Sequence, residues 1–263
     1  MRILVRVDAY SDIALGHLNR CINLAVSLEK HGHSVTFLSY NDPTTQAILS
    51  KMHFEYKLIP FKINDKQSKY KELPQLEILS DSMDLLLVDS YNVDQNYFDF
   101  LNKCFPVIVY LDDLGLDFDV DLVINPSCKV KETDYKAKNI LCGMRYVILG
   151  EEYRSGRVKV FNTNKRSILV TMGGIDHYDL SVRVIPILEE ISLDIEVNIV
   201  IGPYYENTKS IKNAAKKSRL TINMFENVSN IIPIILESDI ALTAGGFTTY
   251  ELAAMSTPSV GVA

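Results

Sequence analysis

Residues 1–40 read MRILVRVDAYSDIALGHLNRCINLAVSLEKHGHSVTFLSY, and this stretch decides the fold. Residues 3–7 alternate little and are almost wholly apolar, as a buried strand requires, and they run into Asp8 and a short polar loop. From Gly16 and His17 the period changes. Leu18, Cys21, Ile22, Ala25 and Leu28 recur at helical spacing, which predicts a helix over 17–31. SVTFL at 34–38 then predicts a second strand. Strand, helix, strand in so few residues is a parallel crossover unit. A glycine-histidine pair at its strand-to-helix junction is either a helix-capping device or a chemical group.

The same alternation continues outward. A helix is expected over 43–52 and a strand over 56–59. Strands are expected at 85–88 (LLLV, ending in Asp89), at 107–111 (VIVYL, ending in Asp112 and Asp113) and at 122–124 (ending in Asn125). The pattern restarts with a strand at 167–171 that meets Met172-Gly173-Gly174-Ile175-Asp176. A helix at 180–191 follows, then a strand at 196–201, a helix at 208–217 and a strand at 220–223. A helix over 228–238 is expected to carry Pro233 in its first turn, where a missing N–H costs little. A strand at 240–243 meets Ala244-Gly245-Gly246, and a helix at 247–254 and a strand at 259–263 complete the chain. Residues 151–165 are polar and aperiodic. The sequence therefore reads as an α/β protein of two parallel-sheet units, 1–150 and 166–263, joined by a linker at 151–165.

Composition narrows the function. The 263 residues are 47% hydrophobic and 23% charged, sufficient for a substantial core. A net charge of -6 and a pI near 5.4 lack the basic footprint of a nucleic-acid binder. Basic residues at 209–217 read as a solvated helix face. Cys21, Cys104, Cys128 and Cys142 are scattered without metal-ligand spacing, which argues for reduced thiols and against a zinc site. Neither a signal-peptide pattern nor an apolar window long enough for a membrane helix occurs, so a cytoplasmic location is expected.

Ligands of parallel sheets bind beyond the carboxyl ends of the strands. Here those ends carry Asp8 to His17, Asp89-Ser90-Tyr91, Asp112-Asp113, Gly173-Gly174 and Gly245-Gly246. Glycine lets a backbone approach an anion, and a following helix offers free N–H groups. Two strand-Gly-Gly-helix junctions in one unit suggest a pyrophosphate, although either alone reads more readily as a tight turn. Glu251 lies six residues beyond Gly245. It can accept hydrogen bonds from the vicinal hydroxyls of a ribose, or simply favour the helix dipole. At a helix N-terminus the dipole disfavours an imidazolium, which leaves His17 able to accept a proton as a general base; capping remains the alternative. Tyr91 suits a sugar site and equally suits ordinary half-buried packing. The Asp112-Asp113 pair fits a metal, a sugar or a strand-end turn.

RVDAYSDIALGHLNRCINLA at 6–25 resembles the signature of the UDP-2,4-diacetamido-2,4,6-trideoxy-β-L-altropyranose hydrolase family of pseudaminic acid biosynthesis, close to spore-coat polysaccharide proteins. LLLVDSYNVD, VIVYLDDLGLDFDVDLVINP, CGMRYVILGEEY, ILVTMGGIDHYDLS and DIALTAGGFTTYELAAMSTPSV extend the resemblance in order along nearly the whole chain. It implies a GT-B-like fold, two Rossmann-type domains facing a cleft, similar to the UDP-GlcNAc transferase that makes lipid II. It implies hydrolysis of a UDP-sugar to UDP and free sugar, with inverting attack by water that His17 activates and with Tyr91 across the sugar. Asp8 and Gly16 would belong to the substrate-binding set. Gly173, Gly174, Thr243, Gly245 and Gly246 would flank the phosphates, the loop from Phe225 to Val228 would meet the uracil, and Glu251 would hold the ribose. No cofactor and no metal are implied; the partner is the small-molecule UDP-sugar. A glycosyltransferase of the same fold and a non-catalytic nucleotide-sugar binder are the other readings. Ala14 stands where the family has a turn glycine, and Gly150 where it has arginine. The family continues beyond the final strand with an N-Q motif and further helices, which implies that the C-terminal domain is incomplete here.

Overall fold

A computed structural model describes residues 1–10, 15–60, 68–154, 166–191, 194–226, 228 and 230–262. The chain divides into two compact units, Met1–Ile148 and Leu149–Ala263. Ala14 and most of the stretch read as a linker, from residue 155 to 165, lie outside the described residues.

The first unit is built on a seven-stranded, wholly parallel sheet. Its strands are β1 (Arg2–Val7), β2 (Ser34–Tyr40), β3 (Glu55–Ile59), β4 (Leu85–Asp89), β5 (Ile108–Leu111), β6 (Leu122–Asn125) and β7 (Asn139–Cys142), in the order β3-β2-β1-β4-β5-β6-β7. The helices are α1 (Gly16–Lys30), α2 (Pro43–Leu49), α3 (Ser68–Lys71), α4 (Leu73–Ser80) and α5 (Gln95–Cys104). The period of two along β1 assigns its side chains to two cores. Ile3, Val5 and Val7 pack with Leu18, Cys21, Ile22 and Ala25 of α1. Leu4 packs on the other face with Leu76, Tyr97, Phe98 and Leu101 of α4 and α5.

The second unit repeats the plan on a smaller scale. Strands β8 (Arg166–Thr171), β9 (Ile195–Ile201), β10 (Thr221–Glu226), β11 (Ile240–Ala244) and β12 (Ser259–Val262) form a parallel sheet in the order β10-β9-β8-β11-β12. Its helices are α6 (Leu180–Glu189), α7 (Thr208–Lys217), α8 (Ile232–Glu237) and α9 (Thr248–Ala254). Separate apolar clusters lie around Val197 and Ile199 and around Ile235 and Leu252. In both sheets the strand order reverses direction once, between β1 and β4 and between β8 and β11. Those are the topological switch points at which such sheets open a crevice.

The structure corrects several element boundaries. The expected helix at 228–238 begins only at Ile232, so Pro233 occupies its first turn. The strand expected to end at Asn223 runs to Glu226, which puts Phe225 inside β10 rather than in a loop. Helices α3, α4 and α5 and strand β7 lie in stretches for which no element was expected. Among the described residues no helix is long and apolar enough to cross a membrane.

Candidate functional site

At the first switch point β1 and β4 deliver Asp8 and Asp89, and the backbone N–H of Asp8 donates to the Asp89 carbonyl at 2.9 Å. The first turns of α1 turn His17, Arg20 and Cys21 inward, all three buried. The His17 Nδ1 is hydrogen-bonded to Asp89 Oδ1. A carboxylate only accepts, so Nδ1 carries a ring proton, and in the neutral ring the lone pair would lie on Nε2. Arg20 grips the same carboxylate with Nε on Oδ2 and Nη2 on Oδ1, both at 2.6 Å. Burial pushes the Asp89 carboxyl up, but the Arg20 guanidinium and His17 outweigh it and hold Asp89 well below the usual carboxylate range. Burial and the Asp89 charge push the Cys21 thiol up, which keeps it protonated and removes it as a nucleophile.

Tyr91 follows β4 and stands edge-on to His17, with ring centroids 4.4 Å apart at 87°. It is 41% exposed, and its hydroxyl donates to Asp113 Oδ2 at 3.2 Å. Burial and the Asp113 charge push that hydroxyl's pKa up, so it stays protonated and able to donate. His17 and Tyr91, which the resemblance places on opposite sides of the sugar, are in direct contact here, 74 positions apart in the chain.

Asp8 and Asp112 serve the protein itself. Asp8 is fully buried; Oδ1 accepts from Arg6 Nη1 at 2.8 Å and Oδ2 from the Ser90 hydroxyl at 2.5 Å. Arg6 is also gripped by Glu72 at 2.8 and 2.9 Å, and the Tyr97 hydroxyl donates to Glu72 at 2.5 Å. Asp112 accepts the backbone N–H groups of Leu114, Gly115 and Leu116 and the side chains of Asn125 and Tyr135, which makes it the organiser of a strand-end turn.

The second unit places different chemistry at its switch point. Gly173 follows β8 with φ of 73°, a left-handed conformation that favours glycine. The turn rests on Gly202, where a Cβ would come within 2.2 Å of the Gly173 carbonyl oxygen; only glycine fits there. Beyond β11, a Cβ on Gly245 or Gly246 would meet nothing within 4 Å, and neither residue has positive φ. Thr243 is buried in β11, its hydroxyl directed to the Ala244 carbonyl at 3.1 Å. Glu251, in α9, accepts the Tyr153 hydroxyl on Oε1 at 2.9 Å. Burial pushes its carboxyl above the usual range despite the hydrogen bonds from Tyr153 and Thr248. Phe225 and Val228 are half-buried against the core beneath α8 and α9.

Arg20 and Tyr153 were not singled out from the sequence as site residues, and Asp113 was read only as half of the Asp112-Asp113 strand-end pair. His17 and Arg20 are three residues apart on a helix and therefore share a face, a signal that was there to be read.

The two parallel-sheet α/β units define a GT-B fold. MurG of Acinetobacter baumannii superposes with a TM-score of 0.69 at 12% identity, covering 99% of this chain and 78% of that one. A co-structure of Staphylococcus aureus MnaA with UDP gives 0.60 at 14% identity over 100% and 79%. No protein-family model matches the chain. By sequence, an uncharacterized protein of Methanocaldococcus jannaschii is 21% identical over 276 residues, 99% of this chain but 55% of its own length. The UDP-2,4-diacetamido-2,4,6-trideoxy-β-L-altropyranose hydrolase of Campylobacter jejuni is 24% identical over 91% of this chain and 83% of its own. The spore coat polysaccharide biosynthesis protein SpsG of Bacillus subtilis is 22% identical over 98% and 76%. This chain thus spans about half the length of the first of these relatives.

Proposed function

We propose that this protein hydrolyses a UDP-linked diacetamido-trideoxy sugar, with His17 as the general base. The observation that carries the reading is the buried Asp89–His17 pair beside Tyr91: it leaves Nε2 of His17 free to take a proton, next to a phenol that stays a donor. The water oxygen attacks the anomeric carbon as its proton passes to Nε2. The bond from that carbon to the phosphate oxygen breaks with inversion, and its electron pair leaves with UDP. Arg20 sets one positive charge against the carboxylates of Asp89 and Asp113, so the charge that His17 gains is balanced locally.

The nucleotide belongs to the second unit. Neither backbone strain nor a close neighbour among the described residues requires glycine at Gly245 or Gly246. A phosphate approaching the backbone at Gly245 accounts for the absence of side chains there, while the Gly246 N–H already donates to the Ala244 carbonyl at 2.8 Å. Gly173 and Gly174 would flank the same diphosphate, Glu251 would accept from the ribose hydroxyls, and Phe225 with Val228 would border the uracil. The Campylobacter jejuni relative's name supports the substrate class. The GT-B fold, shared at a TM-score of 0.65 and 16% identity with a glycosyltransferase of Rickettsia africae, also fits a second reading, transfer of the sugar to an acceptor hydroxyl by the same base.

Incubating the protein with the UDP-sugar alone separates the readings. Release of UDP without acceptor is expected, and His17→Ala should lower turnover roughly a hundred- to ten-thousand-fold while UDP still binds. UDP release only in the presence of an acceptor would replace the hydrolase with the transferase; UDP binding with no turnover under either condition would leave a binding protein.

A further inference from the structure

The clamp between α1 and the ends of β4 and β5 uses every nitrogen of one guanidinium. Nε and Nη2 of Arg20 take the two oxygens of Asp89, and Nη1 lies 2.8 Å from each oxygen of Asp113. Each carboxylate then holds one of the paired rings: Asp89 holds His17, and Asp113 holds Tyr91. Asp89 is fully buried and the Arg20 side chain 8% exposed, so water does not average this geometry away. Arg20 Nη2 also lies 3.1 Å from His17 Nδ1, but both are donors converging on the same Asp89 oxygen rather than bonded to each other.

We infer that Arg20 is a positioning residue for both halves of the site: through Asp89 it fixes the nitrogen on which His17 carries its proton, and through Asp113 it fixes the Tyr91 hydroxyl. The inference rests on the reading of His17 as the base, but its geometry can be tested without turnover. A lysine is a single compact charge and cannot span two carboxylates as the planar fork does. An asparagine at position 89 would turn its oxygen to Arg20, since a guanidinium only donates, and present its NH2 to His17 Nδ1. The ring proton would then be forced onto Nε2, the atom required to accept from water.

The test uses the full chain labelled with 15N-histidine, the His17 signals being identified by their loss in His17→Ala. Wild type should show the neutral tautomer protonated at Nδ1. Asp89→Asn should move the proton to Nε2 and lower kcat about a hundred- to ten-thousand-fold, with UDP affinity unchanged. Arg20→Lys should fail to restore wild-type kcat, also with UDP affinity unchanged. Asp113→Asn, at a site 27% exposed and so tolerant of change, should keep the Nδ1 tautomer yet shift the Tyr91 ring resonances, which keeps the inference testable if Asp89→Asn does not fold. An Nδ1-protonated ring in Asp89→Asn, wild-type kcat in Arg20→Lys, or an unmoved Tyr91 in Asp113→Asn would each overturn it. Failure of wild type to release UDP would instead remove the proposed reaction, while the tautomer and Tyr91 signals would still decide the role of Arg20.

Discussion

The two units share a sheet plan but equip their switch points with opposite materials. Among the described residues, the buried charged groups Arg6, Asp8, Arg20, Lys69, Glu72, Asp89 and Asp112 all belong to the first unit. The buried polar groups of the second unit are hydroxyls and one amide: Ser167, Thr171, Ser181, Asn198, Ser238, Thr243 and Thr257. Buried charge is costly unless it is paired and hydrogen-bonded, and the first unit meets that condition with closed networks. Such networks hold side chains in fixed orientations, as proton transfer demands. Backbone N–H groups at glycine turns carry no net charge, so an anion can reach them without a competing counter-ion being displaced. On the proposed function, the same fold is furnished once for chemistry and once for binding.

The largest break in that comparison should come from opening a closed network. Glu72→Ala leaves Arg6 as a buried cation with half its partners and strips Tyr97 of its acceptor. We expect a loss of about 3–5 kcal/mol in urea unfolding. A loss below roughly 1 kcal/mol, the range of exposed pairs, would show that the network does not stabilise the first unit in this way. The glycines should sort next. Gly202→Ala forces a methyl against the Gly173 and Gly174 carbonyls and should cost about 1–3 kcal/mol. Gly245→Ala meets no protein atom within 4 Å. It should leave the melting curve near wild type while weakening UDP binding about ten-fold or more in calorimetry. Equal effects of the two substitutions on stability would erase the distinction between structural and ligand-facing glycine.

Much of this organisation was legible in the sequence because burial on both faces makes a central strand a continuous apolar run, as at 85–88 and 107–111. The edge strand β7 has four residues and pairs only with β6, so its pattern is too short to register. Helix α5 carried a readable signal that went unused: Asp94 caps it by accepting from the Tyr97 N–H at 3.0 Å, and Tyr97, Phe98 and Leu101 form its inner face. His17 and the two Gly-Gly turns stood out because they sit at junctions where period changes. Partnership did not stand out. Arg6 breaks an apolar strand, and only the fold reveals that Glu72, on the far side of two crossovers, neutralises it. Likewise the contact between His17 and Tyr91 exists because β1 and β4 are neighbours at the switch point, a fact of topology rather than of spacing.

The smallest effect, and the most direct contrast, lies in two carboxylates displaced in opposite directions. Burial raises both, but at Asp89 the Arg20 and His17 partners prevail, whereas at Glu251 the Tyr153 and Thr248 hydrogen bonds do not. Folded Asp89 therefore holds its proton less readily than the unfolded chain. Its contribution is complete above the unfolded value near ~3.9 and is lost as pH falls below it. Glu251 holds its proton more readily when folded, so it imposes a cost that is absent below the unfolded value near ~4.3 and grows as pH rises past it. Glu251→Gln removes that cost, keeps an acceptor for the Tyr153 hydroxyl, and should raise stability at pH 7 relative to wild type by under about 1 kcal/mol, with no gain at pH 4. Urea titrations at the two pH values check the sign. A stability loss at pH 7 would mean that Glu251 is ionised and structurally favoured in the unliganded protein, leaving no cost for the ribose hydroxyls to relieve.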